Sequence, residues 1–237
     1  MNLRRHADRP LVVGHRGAGA LVPDNSLEGL AVAVAAGADL VEFDLCQGLL
    51  LGHSARELAE SPLSFDDALE FLAPHDVGVY VDLKLVGIEG EVAAAVRRHG
   101  LEARTVVSTT SARSLRSLAR IAPALPRVIG YPHDRAGVTR LSWPRSVTAP
   151  AAAALRAVMP LRAPALLAVA RANVLALHQG LVSPAVVRAV HARGGAIFAW
   201  PVRDPAEVRR LAAAGVDAIV TGNPEMAFDA LATLNRS

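Results

Sequence analysis

The sequence predicts an α/β chain folded as a (β/α)8 TIM barrel, a single domain over residues 1–237. Three observations carry that expectation. Short β-branched segments alternate with Ala- and Leu-rich stretches at helical spacing, which is the signature of repeated βα units on a parallel sheet. The strand candidates number about eight, and a chain of 237 residues matches the roughly 250 that such a barrel uses as one domain. No Ser/Gly or Pro-rich linker divides the chain.

Taken in order, the first strand is read over Leu11 to His15, followed by Ser26 as cap of LEGLAVAVAA and by Gly37 as stop. The second, Leu40 to Leu45, leads to Ser64, with Asp67 three residues later, at the next helix start. The third, Val77 to Lys84, precedes a helical run closed by Gly100, and the fourth, Thr105 to Ser108, precedes Ser111 and ARSLRSLARI. The fifth is Arg127 to Tyr131. After it, Pro144, Pro150, Pro160 and Pro164 are expected to interrupt any long helix between Arg135 and Arg171, giving broken helices or a partly apolar lid. The sixth, Val174 to His178, is followed by Ser183-Pro184 as a helix start and Gly194 as its stop. The seventh, Ala196 to Val202, is followed by Asp204-Pro205 and Gly215, and Ala218 to Thr221 closes the count.

Composition limits the function classes. With 52% hydrophobic residues and only 4% aromatics, the interior is filled by Ala, Val and Leu, and a disordered chain is excluded. No uninterrupted apolar run reaches ~18 residues, and the charged start, Met1 to Pro10, lacks the apolar core of a secretory signal, so a cytoplasmic protein is expected. The single Cys46 has no internal disulfide partner. A formal charge of +3 gives no reason to expect nucleic acid as a partner. Its distribution is uneven, because Asp and Glu are absent between Asp134 and Asp204 while arginines recur. Those guanidinium groups are either solvated on helix faces or attract anionic substrates or lipid headgroups, so a peripheral contact with anionic lipid stays open. Lys84 is the only lysine.

Barrel chemistry gathers at the C-terminal strand ends. There the sequence places His15-Arg16-Gly17 after the first strand, Glu42 and Asp44 on the second, Asp82 and Lys84 on the third and Trp200 on the seventh. Two-residue alternation puts Glu42 with Asp44, away from Phe43, and Asp82 with Lys84. Three converging carboxylates repel one another unless neutralised, and oxygen ligands suit one hard divalent cation, Mg2+ or Ca2+, better than a metal preferring thiolate or imidazole. His15 and His53 are the candidates for proton transfer. His178 is placed to line the pocket, whereas His6, His75, His99, His133 and His191 are expected in solvated surface positions.

The stretch VVGHRGAGALVPDNSLEGLAVAVAAGADLVEFDL resembles the opening of the glycerophosphodiester phosphodiesterases, with H-R-G, a P-E-N-T-like Pro23-Asp24-Asn25-Ser26 and E-x-D. VYVDLK resembles that family's I-E-I-K strand, VVSTTSARSLRSLARIAP its fourth unit, and AIFAWPVRDPAEVRRLAAAGVDAIVTGNPE its final segments. The resemblance implies a metal-dependent barrel that cleaves glycerophosphodiesters to glycerol 3-phosphate and an alcohol. His15 and His53 would be the acid/base pair, Glu42, Asp44 and Asp82 the metal ligands, and Arg16 and Lys84 the phosphate contacts; Trp200, from its place on the seventh strand, is read as an apolar or cation-binding wall. Departures are visible: His53 is followed by Ser54 where the family has Asp, so a carboxylate to orient the imidazole is missing from that place. Asp82 is one methylene shorter than the family's glutamate, Pro201 and Arg203 replace Thr and Asn, and the substrate-side insertion after His53 is much reduced. Two alternatives accompany this reading: a phospholipase D-like activity on lysophospholipids, and a catalytically weak barrel that binds phosphorylated ligands.

Overall fold

A computed structural model describes residues 2–5, 9–56, 58, 62–132 and 145–234. Eight parallel strands follow one another around a closed barrel: β1 (Leu11–Gly14), β2 (Leu40–Leu45), β3 (Gly78–Leu83), β4 (Thr105–Thr109), β5 (Arg127–Tyr131), β6 (Val174–His178), β7 (Ala196–Val202) and β8 (Ala218–Thr221). The last strand pairs with the first, so no edge is left open. Each strand is followed by a helix: α1 (Leu27–Ala35), α2 (Phe65–Leu72), α3 (Glu89–Arg98), α4 (Ala112–Ile121), α5 (Arg145–Ala170), α6 (Pro184–His191), α7 (Pro205–Ala214) and α8 (Pro224–Ala232). The expected strands all exist. Their limits differ only at the ends of β1, β3 and β4, each by one residue.

Local chemistry explains the punctuation. Ser26, Ser64, Ser111, Ser183 and Asp204 each accept a hydrogen bond from a backbone N–H in the first turn of the helix that follows, as their positions before the apolar runs require. Asn223 does the same for α8, through the Met226 N–H.

Alternation along the strands separates two kinds of core. Leu11, Val13, Leu40, Tyr80, Val106, Val128, Val174, Phe198 and Val220 pack together inside the barrel, where the rings of Tyr80 and Phe198 lie with centroids 6.0 Å apart. Val41, Phe43 and Leu45 face outward instead, against Leu30 of α1 and Phe65, Leu69 and Leu72 of α2. The interior is therefore apolar at its floor. Two and four residues past Leu40 on the same inward face come Glu42 and Asp44, and the register sets Glu42 opposite Tyr80 and Asp44 opposite Asp82. A parallel sheet thus carries its carboxylates from a dry floor to the mouth.

One expectation fails. Instead of broken helices, residues 145–170 form a single helix of 26 residues, running through Pro150, Pro160 and Pro164. Each proline removes one backbone donor, but the surrounding sequence is rich in alanine, the strongest helix former. One face is also pinned by Met159, Ala163, Leu167 and Ala170, which are buried in the core shared with β6 and α6. Packing on that face outweighs the missing donors. The lid expected from Arg135 onward falls for its first part, residues 135–144, outside the described residues.

Candidate active site

At the C-terminal ends of the strands lies a cavity of about 980 Å³, lined among others by His15, Arg16, Glu42, Asp44, His53, Asp82, Lys84 and Trp200. All eight residues singled out from the sequence meet there. His178 does not line it; its ring stands edge-on behind Trp200, with centroids 6.0 Å apart.

The acidic group is compact. One oxygen from each of Glu42, Asp44 and Asp82 can be chosen so that all lie within 4.8 Å of one another. Glu42 and Asp44 are buried, with relative exposures of 4% and 1%. Burial, reinforced by the neighbouring carboxylates of Asp44 and Asp82, pushes the Glu42 carboxyl well above its ordinary range. Asp44 goes the other way: although burial opposes ionisation, the ammonium of Lys84 and the guanidinium of Arg16 bring its pKa down to about 2. Lys84 contacts Asp44 Oδ1 at 2.7 Å and is also paired with Asp82. Those carboxylates hold its ammonium above the usual lysine range despite burial.

Arg16 follows β1 in the left-handed region, with φ 54°, and the chain turns on Gly17, where a Cβ would lie 2.4 Å from the Gly29 backbone. That close approach brings the loop onto α1 and aims Arg16 back over the mouth. Its amide donates to Glu42 Oε2 at 2.7 Å, and its side chain pairs with Asp44 at 3.0 Å and with Asp24 at 2.6 Å. Arg16 therefore arrives at the pocket already engaged by two acids.

The two histidines sit on either side of this cluster. His15 Nε2 is 3.9 Å from Glu42 Oε2, and His53 Nδ1 is 3.4 Å from Asp44 Oδ2. Burial, helped by Arg16 and Lys84 and opposed by Asp44, lowers the His15 pKa to about 4, so its imidazole is neutral at pH 7. Asp44, nine residues earlier in the chain, stands beside His53.

Sequence reasoning gave no role to Asn25, which lies in the Pro23–Ser26 motif. Its side-chain oxygen accepts from the Asp44 amide at 2.9 Å, and its Nδ2 donates to Asp44 Oδ2 at 3.4 Å. Asn25 adopts φ 56°, a left-handed conformation that asparagine tolerates better than most residues. An asparagine between Asp and a Ser cap was the available signal. Tyr80 and Ser108 also line the cavity, Ser108 opposite Asp82 in the register and Tyr80 two residues before it on β3. Two histidines expected in solvent have acidic partners: His99 pairs with Asp66 at 2.9 Å, and His191 with the buried Asp217 at 2.7 Å. His6 and His133 lie outside the described residues.

The donor set fits a hard cation. Glu42, Asp44, Asp82 and Asp24 bring four carboxylates against the two positive charges of Arg16 and Lys84, and the formal surplus equals the charge of one divalent ion.

A sequence model of the glycerophosphoryl diester phosphodiesterase family matches residues 15–46 and 74–226. These spans contain every site residue except His53. A glycerophosphodiester phosphodiesterase of Caldanaerobacter subterraneus subsp. tengcongensis is 22% identical over 259 residues, covering 92% of this chain and 96% of that protein. Among solved structures, a glycerophosphodiester phosphodiesterase from Parabacteroides distasonis superposes with a TM-score of 0.73 at 18% identity, over 97% of this chain and 100% of that one. A phosphodiesterase from Oleispira antarctica, in complex with the product sn-glycerol-3-phosphate, gives 0.70 at 18% identity, over 94% and 97%.

Proposed function

Because the chain belongs to the glycerophosphoryl diester phosphodiesterase family, we propose that it hydrolyses glycerophosphodiesters to glycerol 3-phosphate and an alcohol, with His15 and His53 as the proton-transfer pair. The observation that carries this reading is the pair of imidazoles flanking one cluster of three carboxylates at the barrel mouth. A divalent cation, Mg2+ or Ca2+, held by Glu42, Asp44 and Asp82, would supply polarisation of a phosphoryl oxygen and lower the cost of ionising the glycerol 2-hydroxyl.

The residues divide the remaining work. His15, neutral at pH 7, accepts the 2-hydroxyl proton as that oxygen bonds to phosphorus. His53, beside Asp44, gives a proton to the alcohol oxygen as the bond from phosphorus to that oxygen breaks. A cyclic phosphate and the free alcohol result. Water then opens the ring with the roles reversed: His53 takes a proton from the water and His15 returns one to the 2-oxygen, leaving glycerol 3-phosphate and both histidines as they began. Lys84 and Arg16 offset charge on the five-coordinate phosphorus, and Trp200 walls the substrate.

A lysophospholipid is the second substrate class in this reading, favoured by the short segment after His53: α2 begins at Phe65, which leaves little chain to cover the leaving group. Peripheral contact with anionic lipid belongs to the same proposal. The test is release of glycerol 3-phosphate from glycerophosphocholine and glycerophosphoethanolamine, with Mg2+ or Ca2+ and with a chelator. Turnover abolished by the chelator and restored by metal is expected. A barrel that binds glycerol 3-phosphate but releases none from either diester, and no choline from lysophosphatidylcholine, is a binding protein, and the proposal fails.

A further inference from the structure

We propose that the outward face of α5 docks the protein on an anionic lipid bilayer. At 1.5 Å per residue the 26 residues of α5 measure about 39 Å, whereas the five-residue strands beside it span roughly 17 Å. The helix ends at Ala170, only three residues before β6 begins at Val174 on the barrel floor. Its N-terminal half, with the surplus length, therefore stands toward the mouth, and its C-terminal half runs down the barrel wall to the floor.

The helix has two unlike faces. Met159, Ala163, Leu167 and Ala170 are buried in the core. Opposite them, Ala154, Val158, Leu161, Ala165 and Val169 recur at steps of three and four and are exposed, Leu161 by 85%, Val169 by 62% and Val158 by 47%. Residues 153–170 are long and apolar enough to cross a membrane, with mean hydropathy 1.4. Four of them are fixed in the barrel core, however, so the helix can lie on a bilayer but not span one.

Charge identifies the occupant. From Ala103 to Arg203 the sequence holds fourteen arginines and a single acid, Asp134. On the helices packed beside α5, Arg120 of α4 and Arg188 of α6 are exposed, as is Arg162 of α5 itself. An apolar stripe among cations, with no acid on α4, α5 or α6, repels a second copy of itself and attracts a negative surface. Interfacial helices use this combination of a buried apolar stripe and flanking cations.

The proposal rests on the proposed function only for why contact with a lipid surface is useful to this chain; its test needs no turnover. Flotation of the full chain with vesicles of mixed phosphatidylcholine and phosphatidylglycerol, against phosphatidylcholine alone, is the assay. Binding to the mixed vesicles alone, weakened by salt, is expected. Leu161→Asp should reduce partitioning by about ten-fold or more, and Arg188→Gln by about five-fold, with circular-dichroism melts unchanged. Equal binding to neutral vesicles, no binding to either, or no effect of Leu161→Asp overturns the idea. So does a dimer that Leu161→Asp dissociates, because a second copy then covers the face. Vesicle binding without diester turnover would defeat the proposed function and leave this surface standing.

Discussion

Asp44 is the side chain on which the site turns: it meets Arg16, Lys84, His53 and Asn25 at once, and it is 1% exposed. Asn25 acts through it. Replacing Asn25 by Gly keeps the left-handed backbone but removes both contacts to Asp44, so divalent-cation affinity measured by calorimetry should fall by ~10 to 100-fold, the usual effect of losing a ligand's supporting hydrogen bond. Unchanged affinity would leave Asn25 with a backbone role only. For the proton-transfer pair, His15→Ala and His53→Ala should each lower kcat by ~10² to 10⁴-fold with an unchanged melting curve. If His53→Ala keeps near wild-type turnover on a diester with a poor leaving group, the two-histidine scheme is wrong for this chain. His15 also has a signature in stability. Its folded pKa of about 4 lies below its ordinary 6.5, so between those values the unfolded chain binds the extra proton. Its contribution is complete above pH 6.5 and is lost as the pH falls through 4, by up to about 3 kcal/mol. Urea unfolding of the metal-free protein from pH 7 downward should therefore slope less for His15→Gln than for wild type, and parallel slopes would contradict the burial of the imidazole.

At the scale of elements, the caps were legible because each is a local bargain between a short polar side chain and orphaned N–H groups two or three residues on. Ser26, Ser64, Ser111, Ser183 and Asp204 needed nothing distant to be read. Helix α5 was illegible for the opposite reason. Its prolines are local signals against a helix, whereas what holds it is contact of Met159, Ala163, Leu167 and Ala170 with residues far along the chain. Pro160 has its missing donor inside that helix, and Arg156, whose carbonyl loses the partner, is exposed. Pro160→Ala should accordingly restore one hydrogen bond and raise stability by about 1 to 3 kcal/mol. A thermal melt checks this; a lower melting temperature would show that Pro160 contributes packing worth more than the donor it lacks.

Across the whole molecule, the proposed function has strand-end residues grip the glycerophosphoryl end of a diester, with the leaving alcohol on the side of the short segment between His53 and Phe65. On that reading a short segment supplies few contacts to tell choline from ethanolamine, and a missing apolar contact is worth only ~1 to 3 kcal/mol of discrimination. The kcat/KM values for diesters differing only in the alcohol should therefore fall within ~1000-fold of one another; a wider spread would reveal a closed, selective alcohol pocket. The sequence by itself determined the strand and helix order and the inward alternation of Glu42, Asp44, Asp82 and Lys84, because the two-residue strand period and helix capping are written in neighbouring residues. It also held the motifs by which the family resemblance is recognised. Only the tertiary structure decided that Asp44 stands beside His53, that Arg16 is shared between Asp24 and Asp44, that His191 meets Asp217, and that α5 runs unbroken with an exposed apolar face. Those are contacts between segments distant in the chain, fixed by barrel closure and core packing, and no local periodicity encodes them.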